Sequence, residues 1–163
     1  MNVEIIKANY SDVKHGRDIE YLLAAYALDP MGGGRALASE VIDNIVKELA
    51  KLSYAFSLIA YVEGEPAALL NGFEAFSTFA CKPLINIHDV VVLDAFRGKG
   101  ISQRMLAKVE EMASSKGCCK ITLEVLSNNV AAKAAYLKYG FSDYELGPQA
   151  GTALFWQKKI EYT

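Results

Sequence analysis

Residues 85–106 read INIHDVVVLDAFRGKGISQRML, and the change of rhythm inside this stretch sets the architecture. Ile85 to Leu93 is an apolar, β-branched run of strand type. From Ile101 to Lys116 the apolar positions Met105, Leu106, Val109 and Met112 fall instead at helical spacing. Between them Arg97-Gly98-Lys99-Gly100-Ile101-Ser102 delivers a glycine-rich turn to a helix N-terminus. Glycine lets the backbone approach a phosphate with no Cβ in the way, and unpaired N–H groups at the positive end of a helix favour an anion. The turn therefore reads as a cradle for a pyrophosphate, or as a tight strand-to-helix turn that needs glycine for its geometry. A dinucleotide fingerprint is ruled out because Gln103 stands where the third glycine belongs, and a P-loop because Gly98-Lys99-Gly100 replaces Gly-Lys-Ser/Thr.

Working outward, Lys116-Gly117 stops this helix and Lys120 to Leu126 is a further strand. A strand–helix–strand unit requires a parallel, right-handed crossover. Ser127-Asn128-Asn129 caps a helix over Ala131 to Tyr139, which Gly140 ends. Upstream, Phe56 to Val62 and Ala67 to Phe76 form an antiparallel hairpin about Glu63-Gly64-Glu65-Pro66. Val3 to Ala8 is the first strand, and Ile19 to Leu28 a helix stopped at Asp29-Pro30. After Gly32-Gly33-Gly34, Ala36 to Leu52 aligns Leu37, Val41, Ile45, Val46, Leu49 and Leu52 on one helical face. Phe141 to Glu145 and Thr152 to Ile160 read as closing strands around Gly147-Pro148. The class is α/β of the α+β type, in one domain over residues 1–163.

Composition fits a globular chain: 163 residues, 52% hydrophobic and 22% charged. Seventeen basic against nineteen acidic residues give a net charge of −2 without a basic run, which argues against a nucleic-acid partner. No leader-like start and no apolar run of spanning length is seen, so no membrane partner and a cytoplasmic location are expected. Cys81, Cys118 and Cys119 lack a Cys-x-x-Cys pattern or a neighbouring histidine; they read as small packing residues, and no metal is expected.

From Ile87 to Phe141 the chain resembles the core of the GNAT N-acetyltransferases. The resemblance rests on a strand ending in Val90-Val91-Val92, the Arg97-to-Ser102 loop, a helix, a strand, then Asn129-x-x-Ala132-x-x-x-Tyr136-x-x-x-Gly140-Phe141. Ser102 stands where the family usually has Gly or Ala, a small change. The resemblance implies a mixed twisted sheet of six to seven strands, flanked by about four helices, with a splayed central strand pair. It implies that the coenzyme A pyrophosphate lies on the amides of Arg97, Gly98, Lys99, Gly100, Ile101 and Ser102. The pantetheine arm is then expected alongside Val90, Val91 and Val92, with Asn129 and Ala132 on the helix side. Tyr136 falls where the family places the acid for the departing thiolate; the competing reading is a ring that packs.

His88 and Asp89 sit in the strand before the loop, and strand alternation aims only one of them into a cleft. His88 occupies the position of a candidate base in the branch of the family that acetylates polyamines and diamines, and an imidazole titrates near neutrality. Asp89 is expected to orient a neighbour or hold the substrate cation. Phe76-Ser77-Thr78-Phe79 is similar to the same branch and, with Glu74, offers aromatic rings and a carboxylate to an amine. Gly32-Gly33-Gly34 reads as a flexible connector or as plain loop geometry. The implied activity is acetyl-CoA-dependent N-acetylation of a primary amine on a small molecule. A protein α-amine or lysine acceptor, or a non-catalytic coenzyme A-binding module, remains the alternative. Pairing of two copies through outer strands stays open.

Overall fold

A computed structural model describes residues 1–162. The chain divides into a unit from Met1 to Leu126 and a second that begins at Ser127. The first contains β1 (Val3–Lys7), α1 (Val13–Leu28), α2 (Ser39–Ala50), β2 (Ala55–Val62), β3 (Glu65–Ser77), β4 (Lys82–Val92), α3 (Ile101–Ser115) and β5 (Ile121–Leu123). The five strands form one sheet in sequence order. β1 to β4 run antiparallel to their neighbours, and β4 and β5 are parallel, with α3 as the crossover between them.

α1 starts six residues before the periodic run because Asp12 caps it: its carboxylate accepts from the backbone N–H of Lys14 and His15. Ile19 and Leu22 of α1 and Val46 of α2 then pack on Ile59, Tyr61, Leu69 and Val91. The residues between these in the strands, Leu58, Ala60, Ala68 and Leu70, are fully buried on the opposite face. α3 packs across β1 to β4 and covers that face with Ile101, Met105, Leu106 and Val109. Burying each such aliphatic side chain contributes about 1.5–3 kcal/mol, so the two layers clamp the middle of the sheet. Arg104 ties α3 to the sheet edge by donating from Nη2 to the Val3 carbonyl at 2.8 Å.

β5 is short: it meets β4 only from Ile85 to Ile87. Beyond that point β4 continues to Val92 with β3 on one side and no β5 partner on the other. β4 and β5 thus part after Ile87, as the resemblance implies for a splayed pair, but β5 is here the edge strand of the sheet.

The second unit carries α4 (Val130–Tyr139). The two closing strands expected over Phe141 to Glu145 and Thr152 to Ile160 do not form; a single bridge joins Glu145 to Thr152. Among the described residues the sheet therefore has five strands rather than six or seven. An apolar run supplies strand propensity, but a ladder needs a partner along its length. Here Leu154, Phe155, Trp156 and Ile160 are all exposed.

Candidate active site

β4 carries an irregularity at the centre of the first unit. Asn71 pairs with Asp89, but the next pair is Gly72 with Ile87, so His88 is an extra residue in the ladder. Strict alternation would put His88 and Asp89 on opposite faces. The bulge cancels that expectation and brings His88 Nδ1 within 3.2 Å of Asp89 Oδ1. The two side chains differ in exposure, 63% for His88 against 19% for Asp89, so the imidazole reaches solvent while the carboxylate stays under cover. The ring of Phe73 meets the His88 imidazole edge-on with centroids 5.7 Å apart, and Tyr54 packs on Phe73 in turn.

Behind Asp89 runs a rung of polar side chains. Ser57 pairs with Asn71 across β2 and β3, and Asn71 with Asp89 across β3 and β4. Ser57 is fully buried and Asn71 nearly so. Ser57 Oγ donates to Asn71 Oδ1 at 2.6 Å, and Asn71 Nδ2 donates to Asp89 Oδ2 at 3.0 Å. Tyr10 OH lies 2.9 Å from Ser57 Oγ, and burial pushes its phenol above the ordinary value. From α1, Tyr26 is raised likewise, by burial first and then by the charges of Asp89 and Asp29. Gly72, at the start of the bulge, lies beneath the ring of its partner Phe56: an added Cβ would stand 2.3 Å from Phe56 Cζ.

The glycine-rich loop follows β4. Gly98 and Gly100 have φ of 73° and 74°, a backbone that favours glycine, and among the described residues a Cβ at either would meet no atom within 4 Å beyond its chain neighbours. Gly100 is the N-cap of α3, and no side chain caps that end. The open approach and the helix N-terminus fit a phosphate group. The Arg97 side chain, in contrast, is engaged by groups of the protein itself. Its Nε donates to the Val92 carbonyl at 3.0 Å, Nη2 to Asp29 Oδ2 at 2.8 Å, and Nη1 lies 2.7 Å from Asp94 Oδ1. The Arg97 guanidinium holds the Asp29 carboxyl below its usual range, helped by the Met31 N–H. Lys99 Nζ donates to the Ala95 carbonyl and sits over the Phe96 ring.

Asp29 is also the hub of the segment after α1. Its carbonyl accepts from Gly32 N at 2.8 Å and Gly34 N at 2.9 Å, and Gly32 abuts the Tyr26 carbonyl. The triple-glycine stretch is thus a hydrogen-bonded turn, not a flexible connector.

Other expected residues lie elsewhere. Phe76 pairs with Pro83 near the tip of the β3–β4 hairpin, and Phe79 at the tip is 98% exposed. Ser77 Oγ accepts from Ala80 N and closes the turn that includes Thr78. That end of the hairpin stands roughly 17 Å from the bulge, at about 3.3 Å per strand residue from Gly72 to Ser77. Glu74 makes an ion pair with Lys116 at 2.7 Å. Phe73, Ser57, Asn71 and Tyr10 were not singled out from the sequence. A lone Ser or Asn inside an apolar strand was the available signal for two of them, since a buried polar group demands a partner.

In the second unit Asn129 caps α4, its Oδ1 accepting from Ala132 N at 3.2 Å. Ala132, Ala135, Tyr136 and Tyr139 form the half-buried stripe of α4. Tyr136 meets Phe141 edge-on at 5.9 Å, and the Gly140 and Phe141 N–H groups both bond to its carbonyl. The Asn129-to-Phe141 motif is thus a complete capped helix.

Among the described residues no group of three or more His, Cys, Asp or Glu could hold a metal ion, and no helix is long and apolar enough to cross a membrane.

A profile of the Acetyltransferase (GNAT) family matches residues 38–141. The chain is 37% identical over 59 residues to thialysine N-epsilon-acetyltransferase of Bos taurus, covering 36% of this chain and 35% of that protein. It is 31% identical over 106 residues to streptothricin acetyltransferase of Escherichia coli, covering 60% and 58%. The chain thus spans well under two thirds of either relative. Among solved structures, AAC(6')-Iy in complex with a bisubstrate analog, CoA-S-monomethyl-acetylneamine, superposes with a TM-score of 0.74 at 16% identity, over 98% of this chain and 100% of that one.

Proposed function

Because the chain belongs to the Acetyltransferase (GNAT) family, we propose that it transfers the acetyl group of acetyl-CoA to a primary amine of a small molecule, of diamine, polyamine or amino-acid type, by direct attack in a ternary complex. The observation that carries this reading is the bulge in β4. It holds an exposed imidazole against a half-covered carboxylate, beside a stretch of β4 that β5 leaves unpaired. Acetyl-CoA supplies a thioester carbonyl that a neutral amine attacks. The N-terminal amides of α3 and the loop from Arg97 to Ser102 hold its phosphates. The edge of β4 from Val90 to Val92, which β5 leaves uncovered, can pair with its extended amides as an added strand does, apart from the Val92 carbonyl, which already accepts from Arg97 Nε. His88 takes a proton from the acceptor ammonium, and Asp89 orients the imidazole. The family resemblance is what supports contact of Asn129 and Ala132 with the arm, and Tyr136 as donor of a proton to the departing thiolate. Phe73 and Tyr54 add aromatic faces next to His88 on which an amine cation can rest. Glu74, paired with Lys116, and the hairpin residues Phe76, Ser77, Thr78 and Phe79, at a distance from the bulge, stand outside this acceptor surface.

The relatives fit a small-molecule acceptor: thialysine and streptothricin acetyltransferases are named for small amines. The test is a panel of diamines, polyamines, amino acids, amino sugars and peptide amines offered with acetyl-CoA, with free thiol as readout. Turnover with peptides alone would defeat the small-molecule reading. His88→Ala should depress turnover most at low pH, where free amine is scarcest; an unchanged pH profile removes His88 as base. Tyr136→Phe should slow acetyl transfer in a single turnover by about two to four orders of magnitude, and an equal rate makes Tyr136 a packing residue.

A further inference from the structure

We propose that Asn71, with Ser57 and Tyr10 behind it, is a positioning residue: this chain of hydrogen bonds fixes the Asp89 carboxylate, which in turn keeps the His88 proton on Nδ1 and leaves Nε2 as the proton acceptor. The inference deepens the reading of His88 as base and rests on it.

The direction of every link follows from one end. An ionised carboxylate only accepts hydrogen bonds. The Asn71 atom 3.0 Å from Asp89 Oδ2 is therefore the amide nitrogen, which turns Asn71 Oδ1 toward Ser57. Ser57 has a single hydroxyl proton, and the contact of 2.6 Å to Asn71 Oδ1 takes it. The 2.9 Å contact between Tyr10 and Ser57 is then made by the phenol donating. Tyr10 can keep that role because burial raises its phenol above the ordinary value. Three donors in a row thus point at one carboxylate, from a loop and two strands. They do so across directly paired residues of β2, β3 and β4, so the rung moves only if the sheet moves.

On the other side of Asp89 stands His88, with Nδ1 at 3.2 Å from Oδ1. A lone pair on Nδ1 would face the carboxylate; a proton there turns that repulsion into attraction. Neutral imidazole in water favours the Nε2–H form, so Asp89 reverses the ordinary preference. Of the other groups around this pair, the Phe73 ring is uncharged and Tyr26, from α1, is a raised and therefore neutral phenol. The chain also holds its own control. His15 Nδ1 accepts from the Asn9 backbone N–H at 3.0 Å, which puts the His15 proton on Nε2. The two histidines are opposite tautomers.

Long-range nitrogen–proton NMR correlation spectra of the isotope-labelled protein, above the imidazole titration, separate the two forms. We expect His88 as Nδ1–H and His15 as Nε2–H. Asn71→Ala should move His88 to a majority of Nε2–H, leave His15 unchanged, and lower turnover at saturating acceptor by at least about tenfold. Asp89→Asn keeps the volume of the side chain and should shift His88 the same way, so the question is answered even if Asn71→Ala does not fold. His88 found as Nε2–H in the unaltered protein, or the same His88 tautomer in folded variants, overturns the proposal. Full turnover in His88→Ala overturns the role of Nε2, and the tautomer spectrum tells that failure apart from failure of the hydrogen-bond chain.

Discussion

Two glycine-rich segments lie at either end of one salt bridge, Asp29 to Arg97, and they use glycine for opposite reasons. At Gly32 an added Cβ would stand 1.9 Å from the Tyr26 carbonyl oxygen, so the backbone of the protein itself fills the space. At Gly98 and Gly100 a Cβ would meet no atom of the other described residues within 4 Å, chain neighbours aside, and the left-handed backbone is the internal reason for glycine. The first segment is packed and the second is presented. Two glycine clusters that look alike in a sequence therefore separate into one that serves the fold and one suited to contact with a partner outside it.

The sharpest way to break this contrast is to add one methyl group at each. Gly32→Ala must displace a main-chain carbonyl, and we expect a loss of about 1–3 kcal/mol or more, as overpacking costs, read as a lowered denaturation midpoint. Unchanged stability would mean that the turn relaxes freely. Gly100→Ala should cost only about 1–2 kcal/mol for its left-handed backbone. Its coenzyme A titration should nonetheless weaken by about tenfold, equivalent to 1.4 kcal/mol. Full affinity in that variant removes the loop from the binding site.

The bridge between the segments supplies the smaller effects. Arg97→Ala removes two largely exposed ion pairs, to Asp29 and Asp94, each worth at most about 1 kcal/mol, and frees the Val92 carbonyl from its bond to Nε. Differential denaturation is the check, and a loss several times larger would mean that Arg97 organises the whole loop. The last effect is in pH. Asp29 has its carboxyl lowered in the folded state, chiefly by Arg97, from a reference value of 3.8. Its stabilisation is present above that reference and is lost as pH falls through the lower folded value. The stability gap between the protein and Arg97→Ala should accordingly close in acid; a gap that widens there would contradict the assignment.

The loop from Arg97 to Ser102 and the capped helix after Asn129 were readable because both depend on local chemistry: glycine at turns, a side-chain cap, helical periodicity. The order of strands up to β5 was readable for the same reason, since apolar runs and hairpin turns mark it. The bulge was not. It arises from the register of β3 against β4, and nothing in Ile87-His88-Asp89-Val90 announces that two strands will slip by one residue there. The closing strands over 141–145 and 152–160 failed on the same ground, because apolar composition does not specify a partner. The destination of the Arg97 side chain was hidden as well: its acceptor Asp29 stands 68 residues away in the chain. Ser57 and Asn71 occupy the middle ground, visible as polar intruders in apolar strands but linked to Asp89 only once the register is known.

The Phe56 ring over Gly72 carries a consequence for how this sequence can vary. Position 72 is cross-strand partner to 56 and neighbour in sequence to Asn71, so a side chain introduced there would press on the ring and shift the backbone that aims the Asn71 amide. Any exchange of Gly72 for a larger residue must be matched by a smaller one at Phe56. Among homologues the two sites should drift as a pair, and in a combinatorial library the surviving members should show big-with-small combinations at 56 and 72 and almost none of the rest.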